Sequence, residues 1–206
     1  YKSLNCGLGS SDNKKNILKN LTLVKKKLKS DLSKIILLKQ VHSNKFHYIN
    51  KTSKPNLKKF VGDALITNKS NTPIAVLTAD CAPILIFDKK NKTIAAIHAG
   101  WKGAYSGIVK KVVKFMIKKG SSTKNIIAVI GPCISQKNYE VKQDFVKRFI
   151  KKDPKTKVFF KKTRDKNYFN LNEYIAYQLK SLNIKKIEVI HKDTFNIKNN
   201  FFSARR

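Results

Sequence analysis

The chain has 206 residues, 41% of them hydrophobic, enough to bury one sizeable core with no shift in composition that divides it. No apolar run approaches the roughly 20 residues of a membrane-spanning helix and no signal-peptide stretch opens the chain, so a soluble, cytoplasmic, monomeric single domain over residues 1–206 is expected. The net charge of +33 would suit a phosphate-rich partner, yet among 45 basic residues only Arg148, Arg164, Arg205 and Arg206 are arginine, and the lysines are spread throughout. Base readout favours arginine forks and stacked aromatics, so the charge reads as compositional bias and no specific nucleic acid is expected.

Ile17, Leu21, Val24 and Leu28 recur at helical spacing behind Ser11-Asp12-Asn13, which predicts an amphipathic helix over 13–29. A continuous apolar run at 35–38 reads as a buried strand leading into Gln40-Val41-His42-Ser43, so that His42 stands at a strand end. Residues 46–49 read as a short strand and 51–59, with Pro55, as an exposed loop. Further strands are predicted at 64–67, 74–78, 84–87 and 93–97, with a turn at 79–83 carrying Cys81 and a hairpin turn at 88–92. The strand at 93–97 delivers His98 into a glycine-rich loop at 99–103. Beyond it, Ile108, Val112 and Met116 mark a helix whose start could favour an anion. A strand at 126–130, helices at 141–150 and 171–182 and a strand at 187–190 complete the pattern, while 158–160 carries no clear signal. The fold class expected is α+β, a layered sandwich of mixed β-sheets flanked by helices.

Three cysteines at long, uneven spacings argue against a disulfide framework, and without a C-x-x-C pair a zinc ribbon is excluded. Four histidines are present, and two of them, His42 and His98, end predicted buried strands, as does Cys81 with Asp80 beside it. One thiolate with two imidazoles is a sensible zinc set, and three protein ligands leave a fourth position open. Two other readings stay open on spacing alone: Cys81 as a nucleophile with His98 as its base, or Cys81 as a small buried hydrophobe. The chain has no H-E-x-x-H, no Walker A motif, no G-x-S-x-G and no deaminase P-C-x-x-C, and Gly7-Leu8-Gly9 lacks the strand a dinucleotide fingerprint needs.

The series Gln40-Val41-His42-Ser43, Asp63-Ala64-Leu65-Ile66-Thr67, Thr78-Ala79-Asp80-Cys81-Ala82-Pro83, His98-Ala99-Gly100-Trp101-Lys102-Gly103 and Gly131-Pro132-Cys133-Ile134 resembles the laccase-domain, or polyphenol oxidase, family in order and spacing. The closing Phe201-Phe202-Ser203-Ala204-Arg205-Arg206 is similar to that family's Phe-Phe-Ser-Tyr-Arg-Arg. The resemblance implies a layered α+β fold with a metal at the floor of a pocket, held by His42, Cys81 and His98. It also implies zinc-dependent action on purine nucleosides, by phosphorolysis or by deamination of adenosine, with editing of peptidoglycan precursors as a further family activity. The copper-oxidase label fits less well, because a multicopper site needs more than four histidines.

Within that reading Asp80 orients a ligand or moves a proton, and Gln40, Asp63 and Lys102 are the candidate substrate-binding residues. The substrates expected are a nucleoside and phosphate. Lys102 stands where arginine is common in the family, Asp193 where cysteine is expected, and Ala204 where tyrosine is. The family's N-terminal segment and the strand after Arg-Arg are expected to lie outside this chain. The competing functions are a Cys81–His98 hydrolase acting on cell-wall precursors, a polyphenol oxidase, and a basic nucleic-acid-binding module.

Overall fold

Six segments rich in Ile, Val and Ala pair into one mixed sheet. They are β1 (Phe46–Ile49), β2 (Ala64–Thr67), β3 (Ala82–Asp88), β4 (Thr93–Ala99), β5 (Ile126–Ile130) and β9 (Lys186–Val189), in the order β1-β2-β4-β3-β5-β9. The outermost pairs are parallel and the inner ones antiparallel. The computed structural model describes residues 4–28, 35–50 and 60–206; the loop expected at 51–59 lies outside the described residues.

β3 alternates between buried and open positions, as a strand with one covered face must, whereas the central β4 is buried almost throughout. Against one face lies α3 (Ile108–Lys118), which buries Ile108, Val109, Val112, Val113 and Met116 on one stripe. Each of these side chains contributes roughly 1.5–3 kcal/mol by leaving water. The helix α5 (Leu171–Lys180) covers the β5 and β9 end of the same face, with Ile175 and Leu179 fully buried. On the opposite face Leu85 is 56% exposed and Phe87 37% exposed.

A second, smaller sheet joins β6 (Glu140–Val141), β7 (Phe160–Thr163) and β8 (Lys166–Phe169) in the order β6-β8-β7. It packs with α4 (Gln143–Lys152) through a cluster of rings in which Phe145 and Phe149 stack at 4.6 Å and Phe169 meets Phe149 at 5.0 Å. The remaining helices are α1 (Lys14–Lys27), capped by the Asn13 side chain on Lys15 N at 2.9 Å, and the short α2 (Trp101–Tyr105). The mixed, layered α and β architecture is the one expected.

Several expectations require correction. Residues 35–38 and 74–78 do not form strands; they share one isolated parallel bridge, Ile36 with Ile74, and the residue that follows the first segment makes another, Lys39 with Val61. The physical reason is a side chain acting as a ladder rung, because Gln40 Nε2 donates to Leu77 O at 2.7 Å and Gln40 Oε1 accepts from Leu77 N at 2.8 Å. Pro73, beside Ile74, also has no N–H to extend the pairing. The stretch at 99–103 is the end of β4 followed by α2 rather than a loop, so α2 stands between His98 and the start of α3.

Candidate metal centre

Strand register assembles this site. Pro83 pairs with His98 and Ala82 with Ala99 across β3 and β4, so Cys81, one residue before β3, lies beside the end of β4. Ala64 pairs with Ile97 across β2 and β4, which sets Asp63 against His98, and His98 N donates to Asp63 O at 2.7 Å. The starts of β2 and β3 and the end of β4 thus meet at one edge of the sheet.

His42, Cys81 and His98 converge there, with one ligand atom of each within 4.8 Å of the others. Cys81 Sγ is 3.7 Å from His42 Nε2, and the two imidazoles meet edge to face at 4.7 Å between centroids. The three grade from exposed His42 through half-buried Cys81 to buried His98, so the site opens on the His42 side. One soft sulfur and two imidazole nitrogens suit a borderline-soft divalent ion, and three ligands on one side leave room for a further one. Among the described residues this is the one such group, and all four histidines are described. His47 instead contacts Val61 O at 3.0 Å and stacks on Phe60, while His191 is exposed.

Asp63 holds two of these ligands from behind. Its fully buried carboxylate meets His98 Nδ1 at 2.8 Å and accepts from the main-chain N–H groups of Val41, His42 and Ser43 at 3.2, 2.9 and 2.6 Å, and from Ser43 Oγ at 2.8 Å. Burial pushes this carboxyl up, but the hydrogen bonds from His98, Ser43 and His42 outweigh it and hold it below the usual carboxylate range. An ionised Asp63 fixes the proton of His98 on Nδ1 and leaves Nε2 to face the site. Burial lowers the His98 pKa, with the Asp63 contact opposing, which favours the neutral imidazole that a metal needs.

Two residues with left-handed backbone stand at the same place. His42 has φ 57° and Asp80 φ 83°, both left-handed and both on residues with a side chain. Such positions cost on the order of 1–3 kcal/mol each and persist only where surrounding bonds over-determine them. For His42 the three N–H bonds to Asp63 do so. Asp80 is held by Thr194 Oγ1 at 2.7 Å, Ser203 Oγ at 2.9 Å and Arg205 N at 2.8 Å, which tie the end of the chain to the residue before Cys81.

The other candidates fall in different places. The Gln40 amide is committed to Leu77, and the Asp80 carboxylate to its three donors. Lys102 is exposed on α2, its ammonium 5.8 Å from the Trp101 ring centroid. Gly107, before α3, adopts φ 83° and borders a cleft with Lys110, Lys114 and Tyr177. Burial raises the Cys81 thiol to about 11, and the Asp80 and Asp63 charges add to it. Burial, then charge on Cys81, likewise raises the Tyr139 phenol, which places that ring within the field of the site.

Two features were not drawn from the sequence. A Cβ on Gly100 would stand 2.7 Å from Cys81 Sγ and 3.1 Å from His42 Cδ2, so glycine is what permits the cluster to close. The embrace of Asp80 by Thr194, Ser203 and Arg205 spans more than a hundred residues, and no local pattern announces it. In Asp193, Oδ1 accepts from Ser135 N at 3.1 Å and Oδ2 from Asn138 Nδ2 at 2.6 Å, a purely structural pairing that cysteine could not make.

The chain is similar to known proteins over most of its length. A Rickettsia conorii protein named purine nucleoside phosphorylase is 37% identical over 174 residues, 84% of this chain and 70% of the relative. A Haemophilus influenzae protein of the same name is 34% identical over 209 residues, 100% of this chain and 82% of the relative. Among solved structures, the hypothetical protein YfiH of Bacillus licheniformis superposes with a TM-score of 0.89 at 28% identity, covering 99% of this chain and 80% of that one. YlmD from Geobacillus stearothermophilus gives 0.89 at 25% identity, again over 99% and 80%. The family model described as multi-copper polyphenol oxidoreductase laccase matches residues 1–206, and the chain belongs to that family.

Proposed function

We propose that this chain is a zinc-dependent purine nucleoside phosphorylase, with His42, Cys81 and His98 as the metal ligands. The observation that carries the reading is the convergence of these three side chains over a carboxylate that orients one of them. It is supported by relatives named purine nucleoside phosphorylase that match 100% of this chain. Zinc held there supplies Lewis acidity to an oxygen atom and makes water more acidic.

In phosphorolysis a phosphate oxygen bonds to C1′ while the C1′–N9 bond breaks. The electron pair leaves with the purine, which takes up a proton. The chain's part is to hold the reactants in line and keep its ligands in one protonation state. Asp63 does the second by fixing the His98 tautomer and the left-handed turn at His42. Asp80, with its carboxylate spent on Thr194, Ser203 and Arg205, positions Cys81 rather than moving a proton. Deamination of adenosine, in which water adds at C6 and ammonia leaves, is a second activity of the same site.

Zinc is preferred to copper because only two histidines join the cluster, far fewer than a multicopper centre needs. The thiol-hydrolase reading is disfavoured by the raised Cys81 thiol, which in the absence of a cation stays protonated at neutral pH. No helix among the described residues is long and apolar enough to cross a membrane, in keeping with small soluble substrates. The test is to incubate zinc-loaded protein with inosine and with adenosine, each with and without phosphate, and to identify the products. Phosphate-dependent release of hypoxanthine and adenine is expected, together with phosphate-independent conversion of adenosine to inosine; no purine base released at any zinc loading would sink the phosphorylase reading.

A further inference from the structure

In a chain that uses lysine almost everywhere, an arginine marks a place where a planar fork is needed and an ammonium does not serve. Of the four arginines, Arg164 sits in the turn between β7 and β8, and Arg206 spends its fork on the carbonyls of Phe195 and Phe201 at 3.1 and 2.9 Å. The other two, Arg148 and Arg205, line one cavity of about 510 Å³ together with Trp101, Tyr139 and Phe145.

Arg205 lies over the Tyr139 ring at 4.9 Å and donates from Nη1 to Glu140 O at 2.8 Å, with no other side-chain partner among the described residues. Arg148 lies 5.9 Å from the Trp101 ring centroid and has no hydrogen bond or ion pair among the described residues. Asp144, one turn earlier on α4 and also lining the cavity, does not pair with it. The acidic Glu140 at the same wall is taken by Lys166 at 2.9 Å. The cavity therefore presents two guanidinium groups with capacity to spare against one uncommitted carboxylate.

This cavity adjoins the candidate metal centre through the chain itself. Trp101 directly follows Gly100, which packs on Cys81 and His42, and Arg205 N is bonded to Asp80, the residue before Cys81. We propose that Arg148 and Arg205 form the phosphate-binding side of the active site, seating the co-substrate dianion beside Trp101. The assignment rests on the phosphorylase reading above for its co-substrate. A guanidinium offers a phosphate two parallel N–H donors, which lysine cannot reproduce.

The test uses the zinc-loaded full chain and inorganic phosphate at constant ionic strength. Trp101 is the only tryptophan, so its emission reports occupancy of this cavity without turnover, and calorimetry reads the same binding if emission is silent. Saturable binding is expected, weakened on the order of tenfold by Arg148→Lys and by Arg205→Lys, and unchanged by Arg164→Lys. The exposed Arg148 makes its lysine variant the one least able to disturb folding. Phosphate affinity and phosphate KM unaltered in both lysine variants, or no phosphate binding in the wild type, would overturn the assignment. Phosphorolysis that continues with an unchanged phosphate KM removes the arginine assignment alone. Phosphate bound through both arginines with no purine ever released removes the phosphorylase reading alone.

Discussion

The Asp63 carboxylate meets His98 Nδ1 at 2.8 Å while the same group gathers the main-chain N–H of His42, so one buried side chain sets two of the three candidate ligands. Its isosteric amide cannot stay an acceptor toward every one of these donors. Asp63→Asn is expected to lower zinc affinity about 10- to 100-fold, the usual cost of losing such support. Competition against a chromophoric chelator measures this. Zinc affinity within twofold of wild type would show that His98 needs no such orientation.

Gly100 tests the closeness of the cluster. A methyl group there meets Cys81 Sγ at 2.7 Å and His42 at 3.1 Å, both ends of side chains able to turn aside. Gly100→Ala is therefore expected to fold, with far-ultraviolet circular dichroism unchanged, but to bind less than one zinc per chain. Full stoichiometric zinc in the alanine variant would contradict the geometry.

The sulfur offers a check on the competing hydrolase. In chelated protein the Cys81 thiol, held at about 11 by burial and by the Asp80 and Asp63 charges, is expected to react slowly with iodoacetamide near pH 7. Its alkylation rate should climb steadily with pH toward that value. A rate that levels off below about pH 7 would instead reveal the activated thiolate that the hydrolase needs.

Much of this arrangement was legible in the residues, and the rest was not for identifiable reasons. The hairpin of β3 and β4 announces itself by apolar runs on either side of a polar turn, and it is this hairpin that brings Cys81 to His98. The supposed strand before His42 misled, because Ile35 and Ile36 are buried as in a strand while the main-chain pairing stops at the Ile36–Ile74 bridge and the Gln40 side chain takes over at Leu77. The hairpin of β7 and β8 escaped notice since its turn places Arg164, not glycine, at φ 53° and its faces are diluted with lysine. Asp63 reads from the sequence as a candidate substrate-binding residue, not as the support of two metal ligands. A carboxylate that bonds residues twenty to twenty-two positions before it and thirty-five after it leaves no periodic trace.

Stability toward acid should follow Asp88, which ends β3 before the β3–β4 turn. Burial raises its carboxyl, but hydrogen bonds from Ser121, Asn91 and Lys90 prevail and hold it below its usual value. With the folded pKa below the unfolded value of about 3.9, its contribution is complete above that pH and is lost as pH falls through the folded pKa. Asp88→Asn is expected to cost about 1–3 kcal/mol at neutral pH. The gap in Tm between wild type and variant should narrow below about pH 3.9. A gap that stays constant from pH 6 to 3 would place the stabilisation elsewhere.

In the proposed function one zinc ion, held by His42, Cys81 and His98, is what the phosphorolysis depends on. The most direct measurement titrates zinc into chelated protein while following phosphate-dependent release of hypoxanthine from inosine. Activity is expected to rise linearly and break at one equivalent, and to be absent from Cys81→Ala at every zinc concentration. Purine release that is full in the chelated protein and indifferent to added zinc would contradict the account.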